Sequence, residues 1–251
     1  MIDPDGDIRP RISRTALRRL RDSMARGEPP LPVDVPPPAT APAAAATSAA
    51  IGNRGTILTV CTGNICRSPM GEVLLRQALR DLGVRVHSAG TQALVDHEMT
   101  DQAQQLAVHH GSDPTDAAAH RARLLTPAHL DESDLVLAMA REHRSHTVQL
   151  SPAALHRTFT VREFARLAAT LSDDDVRRGV SSAGSDPGDR LRALARLVAG
   201  QRGMAPAAPD EDDVIDPYRR SQNTYELSAS QLVPAVAEVA RVVRVAVSPV
   251  R

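Results

Sequence analysis

From Gly55 onward, apolar residues recur in two alternating rhythms. Thr56 to Val60 (TILTV) is β-branched and apolar throughout, as a buried strand would be. Met70 to Leu82 carries apolar residues at Met70, Val73, Leu74, Ala78 and Leu82, the spacing of one helix face. A short strand is predicted over Val84 to His87, ending in the small polar turn Ser88-Ala89-Gly90-Thr91, and then a helix over Thr100 to His110 with Gly111 as its C-cap. Leu135 to Met139 reads as a third buried strand before a helix over Glu142 to Leu150. Thr158 to Val161 reads as a fourth, with a helix following through Leu171. Such alternation predicts a parallel sheet with helices on both faces.

Two stretches depart from this order. Ser172 to Asp213 is rich in Asp, Gly and Ser, with an island of helix around Leu191 to Ala199, and reads as an insertion. Beyond Val214-Ile215-Asp216-Pro217-Tyr218 a long helix is expected from about Ser221 to Val247, with Pro234 kinking or restarting it. At the other end, Ile12 to Arg26 has the pattern of a short basic amphipathic helix, best read as transient and solvated, while Pro and Ala dominate Glu28 to Ala50, as in a disordered linker. The expected organisation is therefore a disordered Pro/Ala-rich extension at 1–53 and one domain at 54–251, inserted at about 172–213.

Composition narrows the function classes. Hydrophobic residues make up 42% of the 251, but aromatics only 2% with no Trp, so the core must be built from Ala, Val and Leu. Every basic residue outside His is Arg, a bias taken as belonging to the source. Formal net charge is zero, which leaves no basic footprint for nucleic acid or an anionic membrane. The only two Cys lie in one loop, so they can neither build a disulfide framework nor supply four zinc ligands, and no metal or cofactor is expected. The first twenty residues lack the apolar segment of a signal peptide, and no apolar run is long enough to span a bilayer. A reducing cytoplasm fits these features.

The candidate chemistry sits between the first strand and first helix, in Val60 to Pro69 (VCTGNICRSP). Backbone N–H groups of such a turn can face an anion, and the helix start adds the positive end of its dipole. The spacing lets Cys61 lie beneath a phosphoryl group and Arg67 beside it. Inward N–H groups, the dipole and the Arg67 charge favour thiolate over thiol, making Cys61 a nucleophile. Arg67 can grip two phosphoryl oxygens at once. Gly63 is expected where the loop needs a positive φ, Pro69 in the first helical turn, and Ser68 as a hydroxyl donor to the sulfur.

This string, in its strand–loop–helix setting, resembles the signature of the low-molecular-weight protein tyrosine phosphatases. The resemblance covers about Gly55 to Val247 and includes the S-A-G-T turn, Ala119-His120-Arg121-Ala122-Arg123, Asp134-Leu135-Val136-Leu137-Ala138-Met139 and Asp216-Pro217-Tyr218. It implies a three-layer α/β/α fold of the phosphotyrosine phosphatase I type with a central four-stranded parallel sheet. It also implies hydrolysis of phosphotyrosine through a phosphocysteine on Cys61, with Arg67 binding phosphate and Asp216 as general acid and base. Thr62, Gly63, Asn64, Ile65, Cys66 and Ser68 would surround the phosphate, and Tyr218 would wall the substrate ring. Asn64, Ser68, Ser88 and His120 would form a hydrogen-bonded brace, while the remaining His, including His143 and His146, are treated as solvated.

Relatives of this kind reduce arsenate with further cysteines, and none follows Cys66. Others hydrolyse phosphoarginine and carry Thr where this chain has Ile65. A non-catalytic phosphate-recognition module would be expected to lose the nucleophile or the acid, and both are present. Cys66 is open to two roles: a reversible disulfide with Cys61, as in many relatives, or loop packing. The segment after Thr91 lacks the aromatic that often lines one pocket wall. The implied partner is a phosphotyrosine protein, with a bacterial tyrosine kinase of polysaccharide export as a candidate.

Overall fold

The computed structural model describes residues 54–248. The expected helix at 12–26 and the linker at 28–50 lie outside the described residues. Four strands, β1 (Thr56–Cys61), β2 (Arg85–Gly90), β3 (Leu135–Ala138) and β4 (Thr158–Thr160), form one parallel sheet in the order β2-β1-β3-β4. β1 is central: Thr56 to Cys61 pairs with Arg85 to Gly90 on one side, and Ile57 to Val60 with Leu135 to Ala138 on the other. All six β1 residues are buried, which is why their sequence is apolar or β-branched without interruption.

Between and after the strands lie α1 (Arg67–Ala78), α2 (Asp101–His109), α3 (Pro114–Ala119), α4 (Pro127–Asp131), α5 (Arg141–Leu150), α6 (Val161–Ala168), α7 (Asp173–Val180), α8 (Pro187–Ala199) and α9 (Gln222–Val247). Successive side chains of β1 point to opposite faces. Ile57 joins a large core with Leu135, Leu137 and Phe159 and the buried faces of α1, α6, α8 and α9; Leu58 and Val60 join a smaller one with Ala89, Leu125, Leu130 and Val136. Two cores, one on each face of the sheet, make the three layers expected.

The boundaries moved for physical reasons. β2 runs on to Gly90 because Ser88, Ala89 and Gly90 pair with Thr59, Val60 and Cys61, so the expected turn is strand. α1 begins at Arg67 and ends at Ala78, earlier at both ends than its apolar pattern suggested. Two short helices lacked an apolar stripe long enough to be read, though their caps were legible. Asp113 caps α3 by accepting from the N–H groups of Thr115 and Asp116, with Pro114 next, and Thr126-Pro127 opens α4 in the same way.

The stretch 172–213 is more ordered than an island of helix. Ser172 caps α7 and Asp186 caps α8. Val176, Val180, Leu191, Leu194 and Val198 are buried in the large core. α9 runs as a single helix of 26 residues through Pro234, with no restart.

Candidate active site

The loop from Cys61 to Arg67 is turned by what its carbonyls bond. The oxygens of Cys61, Thr62, Gly63 and Ile65 accept from the N–H groups of Thr91, Gln92, Leu94 and Thr100, and that of Asn64 from His120 Nε2 at 2.8 Å. In a planar trans peptide the N–H of the next residue points opposite to the carbonyl. The N–H groups of Thr62, Gly63, Asn64, Ile65 and Cys66 therefore face the centre of the loop, and that of Asn64 reaches Cys61 Sγ at 3.3 Å. α1 adds its N-terminus directly behind.

The left-handed residue of this turn is Asn64, with φ of 56°, and not Gly63 as expected. Asn tolerates that region, and its side chain repays the strain. Asn64 Nδ2 donates to Ser68 Oγ at 2.9 Å and to Ser88 Oγ at 2.7 Å, while its Oδ1 accepts from the Arg123 N–H. Ser68 Oγ lies 2.9 Å from Cys61 Sγ, where its hydroxyl can donate to a thiolate.

The brace has a keystone that sequence reading missed. Glu72 is 1% exposed, accepts from Ser88 Oγ at 2.5 Å, and lies beside Arg76 and 3.4 Å from His120 Nδ1. Burial pushes its carboxyl up, but the contacts with His120 and Ser88 and the Arg76 charge outweigh this and hold it below the usual glutamate value. Its signal was a charged residue one turn after Ser68 on the buried face of α1. His120 is joined to the loop through Asn64 and to α1 through Glu72.

Arg67 is buried and divides its donors. Nη1 donates to Val214 O at 3.0 Å and Nη2 lies 2.9 Å from Asp216 Oδ2. Asp216 is half-exposed, its Oδ1 accepting from the Tyr218 N–H as Asp-Pro turns commonly allow. Its segment is fixed on both sides: the Val214 N–H donates to Met139 O at 2.8 Å, and the Ile215 N–H to Gln231 Oε1 of α9 at 2.9 Å. Asp216 and the Cys61 loop, 155 positions apart from Cys61 to Asp216, are thus joined through Arg67.

Above the loop opens a cavity of about 250 Å³. Ile65, Leu94 and Tyr218 supply apolar wall; Gln92 and Arg219 line it too. Leu94 stands in the segment that lacks an aromatic. Arg219 has φ of 58° and its guanidinium sits 5.1 Å from the centre of the Tyr218 ring, a cation–π contact.

Not all the remaining histidines are solvated. His143 is buried against the loop, its Nε2 2.8 Å from Thr62 Oγ1, and burial followed by the Arg67 charge pushes it down to about 4. The ring is therefore neutral, and its 3.3 Å approach to Glu142 is not an ion pair. His87, on β2, is likewise buried and pushed to about 4. Isolated His residues carry no sequence sign of burial; packing decided both.

Cys61 and Cys66 are both free and buried. Cys66 Sγ is engaged by Thr100 Oγ1 at 3.4 Å and Tyr225 OH at 3.6 Å, and burial pushes its thiol up against those contacts. Among the described residues no three His, Cys, Asp or Glu side chains cluster as metal ligands.

A thiol at the floor of a phosphate-binding turn, between a parallel strand and its helix, defines a cysteine-dependent phosphatase architecture. A family model described as low molecular weight phosphotyrosine protein phosphatase matches residues 56–177. The chain is 43% identical over 103 residues to the low molecular weight protein-tyrosine-phosphatase Etp of Escherichia coli K12, spanning 41% of this chain and 66% of that one, just under two thirds. It is 41% identical over 108 residues to the probable phosphatase EpsP of Ralstonia nicotianae, spanning 43% of this chain and 71% of that one. The structure of YwlE arginine phosphatase from Geobacillus stearothermophilus superposes with a TM-score of 0.51 at 27% identity, covering 74% of this chain and 91% of that one. The chain belongs to the low-molecular-weight protein tyrosine phosphatase family.

Proposed function

We propose that this chain hydrolyses phosphotyrosine in proteins, with Cys61 as nucleophile, Arg67 as phosphate ligand and Asp216 as general acid and base. The observation that carries this reading is the placement of Asp216 on Arg67 at the rim of the Cys61 loop. A phosphoryl dianion seated on the inward N–H groups takes over Arg67 Nη2. That frees Asp216 beside the leaving oxygen.

Cys61 Sγ then attacks phosphorus in line, forming S–P as P–O to the phenol breaks, and the Asp216 proton goes to the departing oxygen. Ser68 and the loop N–H groups hold charge that is already in place, so little reorganisation is needed. In the second step water attacks phosphorus, Asp216 accepts its proton, and S–P breaks to give inorganic phosphate and the thiolate. Ile65, Leu94 and Tyr218 form an apolar slot suited to an aromatic ring, which supports phosphotyrosine over phosphoarginine. A cytoplasmic tyrosine kinase of polysaccharide export is the candidate protein substrate implied by the family.

The test is steady-state hydrolysis of phosphotyrosine peptide, phosphoarginine and aryl phosphates with good and poor leaving groups. Wild type should prefer phosphotyrosine, Cys61→Ser should show no turnover, and Asp216→Ala should slow the poor leaving group by roughly 10²-fold or more while sparing the good one. Turnover by Cys61→Ser would overturn the mechanism, and preference for phosphoarginine would overturn the substrate.

A further inference from the structure

A second cavity, of about 680 Å³, lies along the free edge of β2, away from the catalytic loop. Five guanidinium groups line it: Arg54 before β1, Arg76 on α1, Arg80 just after α1, Arg85 at the start of β2, and Arg123 between α3 and α4. In a chain of zero net charge this is a concentrated positive site.

The three carboxylates that also line it are already committed. Glu72 is held by Ser88, Arg76 and His120; Asp116 pairs with Arg76 at 3.4 Å; Asp113 accepts the N–H groups that begin α3. Among the described residues no carboxylate lies within ion-pair distance of the Arg54 or Arg80 guanidinium. Arg85 has one exposed partner, Glu132 at 3.2 Å, and Arg123 reaches Glu72 only at 3.8 Å.

The wall also holds a buried polar ring. His87 is 3% exposed, and its Nδ1 has no hydrogen-bond partner among the described residues. Ser133 Oγ donates to His129 O at 2.6 Å, so His87 Nε2–H must donate to Ser133 Oγ at 3.3 Å, leaving Nδ1 as an acceptor. As an acceptor closed off from solvent, Nδ1 offers a phosphoryl oxygen no hydrogen bond, so the anion grip rests on the guanidinium groups.

We propose that this cleft is a second anion site, taking a small molecule that carries two or more phosphoryl groups. Its volume falls within the usual range for small-molecule sites, and Arg is the side chain best matched to phosphoryl oxygens. No Phe, Tyr or Trp lines it to stack a nucleobase, which favours a compact polyphosphate or a multiply phosphorylated sugar. The site is distinct from the catalytic one. Arg85 pairs with the first residue of β1 and Cys61 is the last, five residues or roughly 17 Å further along at the rise of a strand.

The experiment is calorimetric titration of the full chain with tripolyphosphate and, separately, with fructose 1,6-bisphosphate. Arg67→Met in the background removes the catalytic grip. One molecule should bind per chain, and adding Arg54→Gln and Arg80→Gln should weaken binding at least tenfold. The two exposed changes alone should leave phosphotyrosine hydrolysis and thermal melting at wild-type values. Tighter binding of the sugar bisphosphate would identify the hydroxyl-bearing source, and tighter binding of tripolyphosphate the inorganic one. Binding of neither ligand to the Arg67→Met protein, or binding indifferent to Arg54 and Arg80, would overturn the proposal.

Discussion

His87 and His143 show what a single buried ring does to the whole chain's pH dependence. Each is held near 4 in the folded protein, whereas an unfolded His takes its proton near 6.5. Below 6.5 the unfolded chain binds protons that the folded one refuses, so stability present above that value is lost as pH falls toward 4. Each ring contributes a slope of up to about 1.4 kcal/mol per pH unit. Urea midpoints should fall steadily between pH 6.5 and 4, and His87→Gln with His143→Gln should flatten that decline. Glu72 acts lower: its folded value lies below the ordinary 4.5, so its contribution is complete above 4.5 and disappears on further acidification. Arg67 is the other single side chain with two jobs, joining Val214 O to Asp216 through separate nitrogens. A Lys ammonium cannot reproduce that fork, so Arg67→Lys should lower kcat/KM by about 10²-fold or more in steady-state assays, despite conserving charge.

At the scale of elements, the catalytic loop depends on the strand beside it. Gly90 ends β2, and a Cβ built there would fall 2.4 Å from Thr62 O and 3.0 Å from Asn64 N. Backbone atoms cannot step aside as a flexible side chain would. Gly90→Ala should therefore displace the loop and cut kcat/KM by roughly 10²-fold, the scale expected for an ångström of misplacement. Circular dichroism of that variant should stay close to wild type, because the sheet pairing of Gly90 is with backbone. The Asp216 segment depends on elements in the same way. Val214 is hung just past the end of β3 through Met139 and Ile215 on α9 through Gln231, so Asp216 is positioned by a strand far back in the chain as well as by the helix that follows it.

At the scale of the whole molecule, the stretch 172–213 belongs to the core. We propose that it is an insertion in an otherwise shorter α/β domain, and that the chain has come to depend on it. Leu194 is fully buried in the large core, so Leu194→Ala should cost about 2–5 kcal/mol in urea denaturation. Replacing 172–213 by a short linker should uncover the faces of α6 and α9 and prevent cooperative melting. If the excised chain melted cooperatively at the wild-type temperature, the stretch would be a surface addition instead. No described helix is long and apolar enough to cross a membrane.

Much of this was legible without a structure, because some features are properties of neighbouring residues. Strand and helix periodicity set the layered parallel sheet, and VCTGNICRSP combined nucleophile, anion grip and helix start within ten positions. Asp216 was readable as a candidate only through the family resemblance carried by Asp216-Pro217-Tyr218, because Asp-Pro pairs occur elsewhere in the chain, as at Asp113-Pro114 and Asp186-Pro187. Short helices escaped because their apolar stripes were too brief, though Asp113-Pro114 and Thr126-Pro127 marked their starts. What only the tertiary structure decided were relations between distant residues: Glu72 beneath Ser88 and His120, His143 against Thr62, and Gly90 against the loop backbone. It also decided that the left-handed residue is Asn64 and not Gly63, since that depends on which distant donors take the loop's carbonyls. Periodicity reports which way a side chain faces within its own element, whereas partners are chosen by the packing of elements on one another.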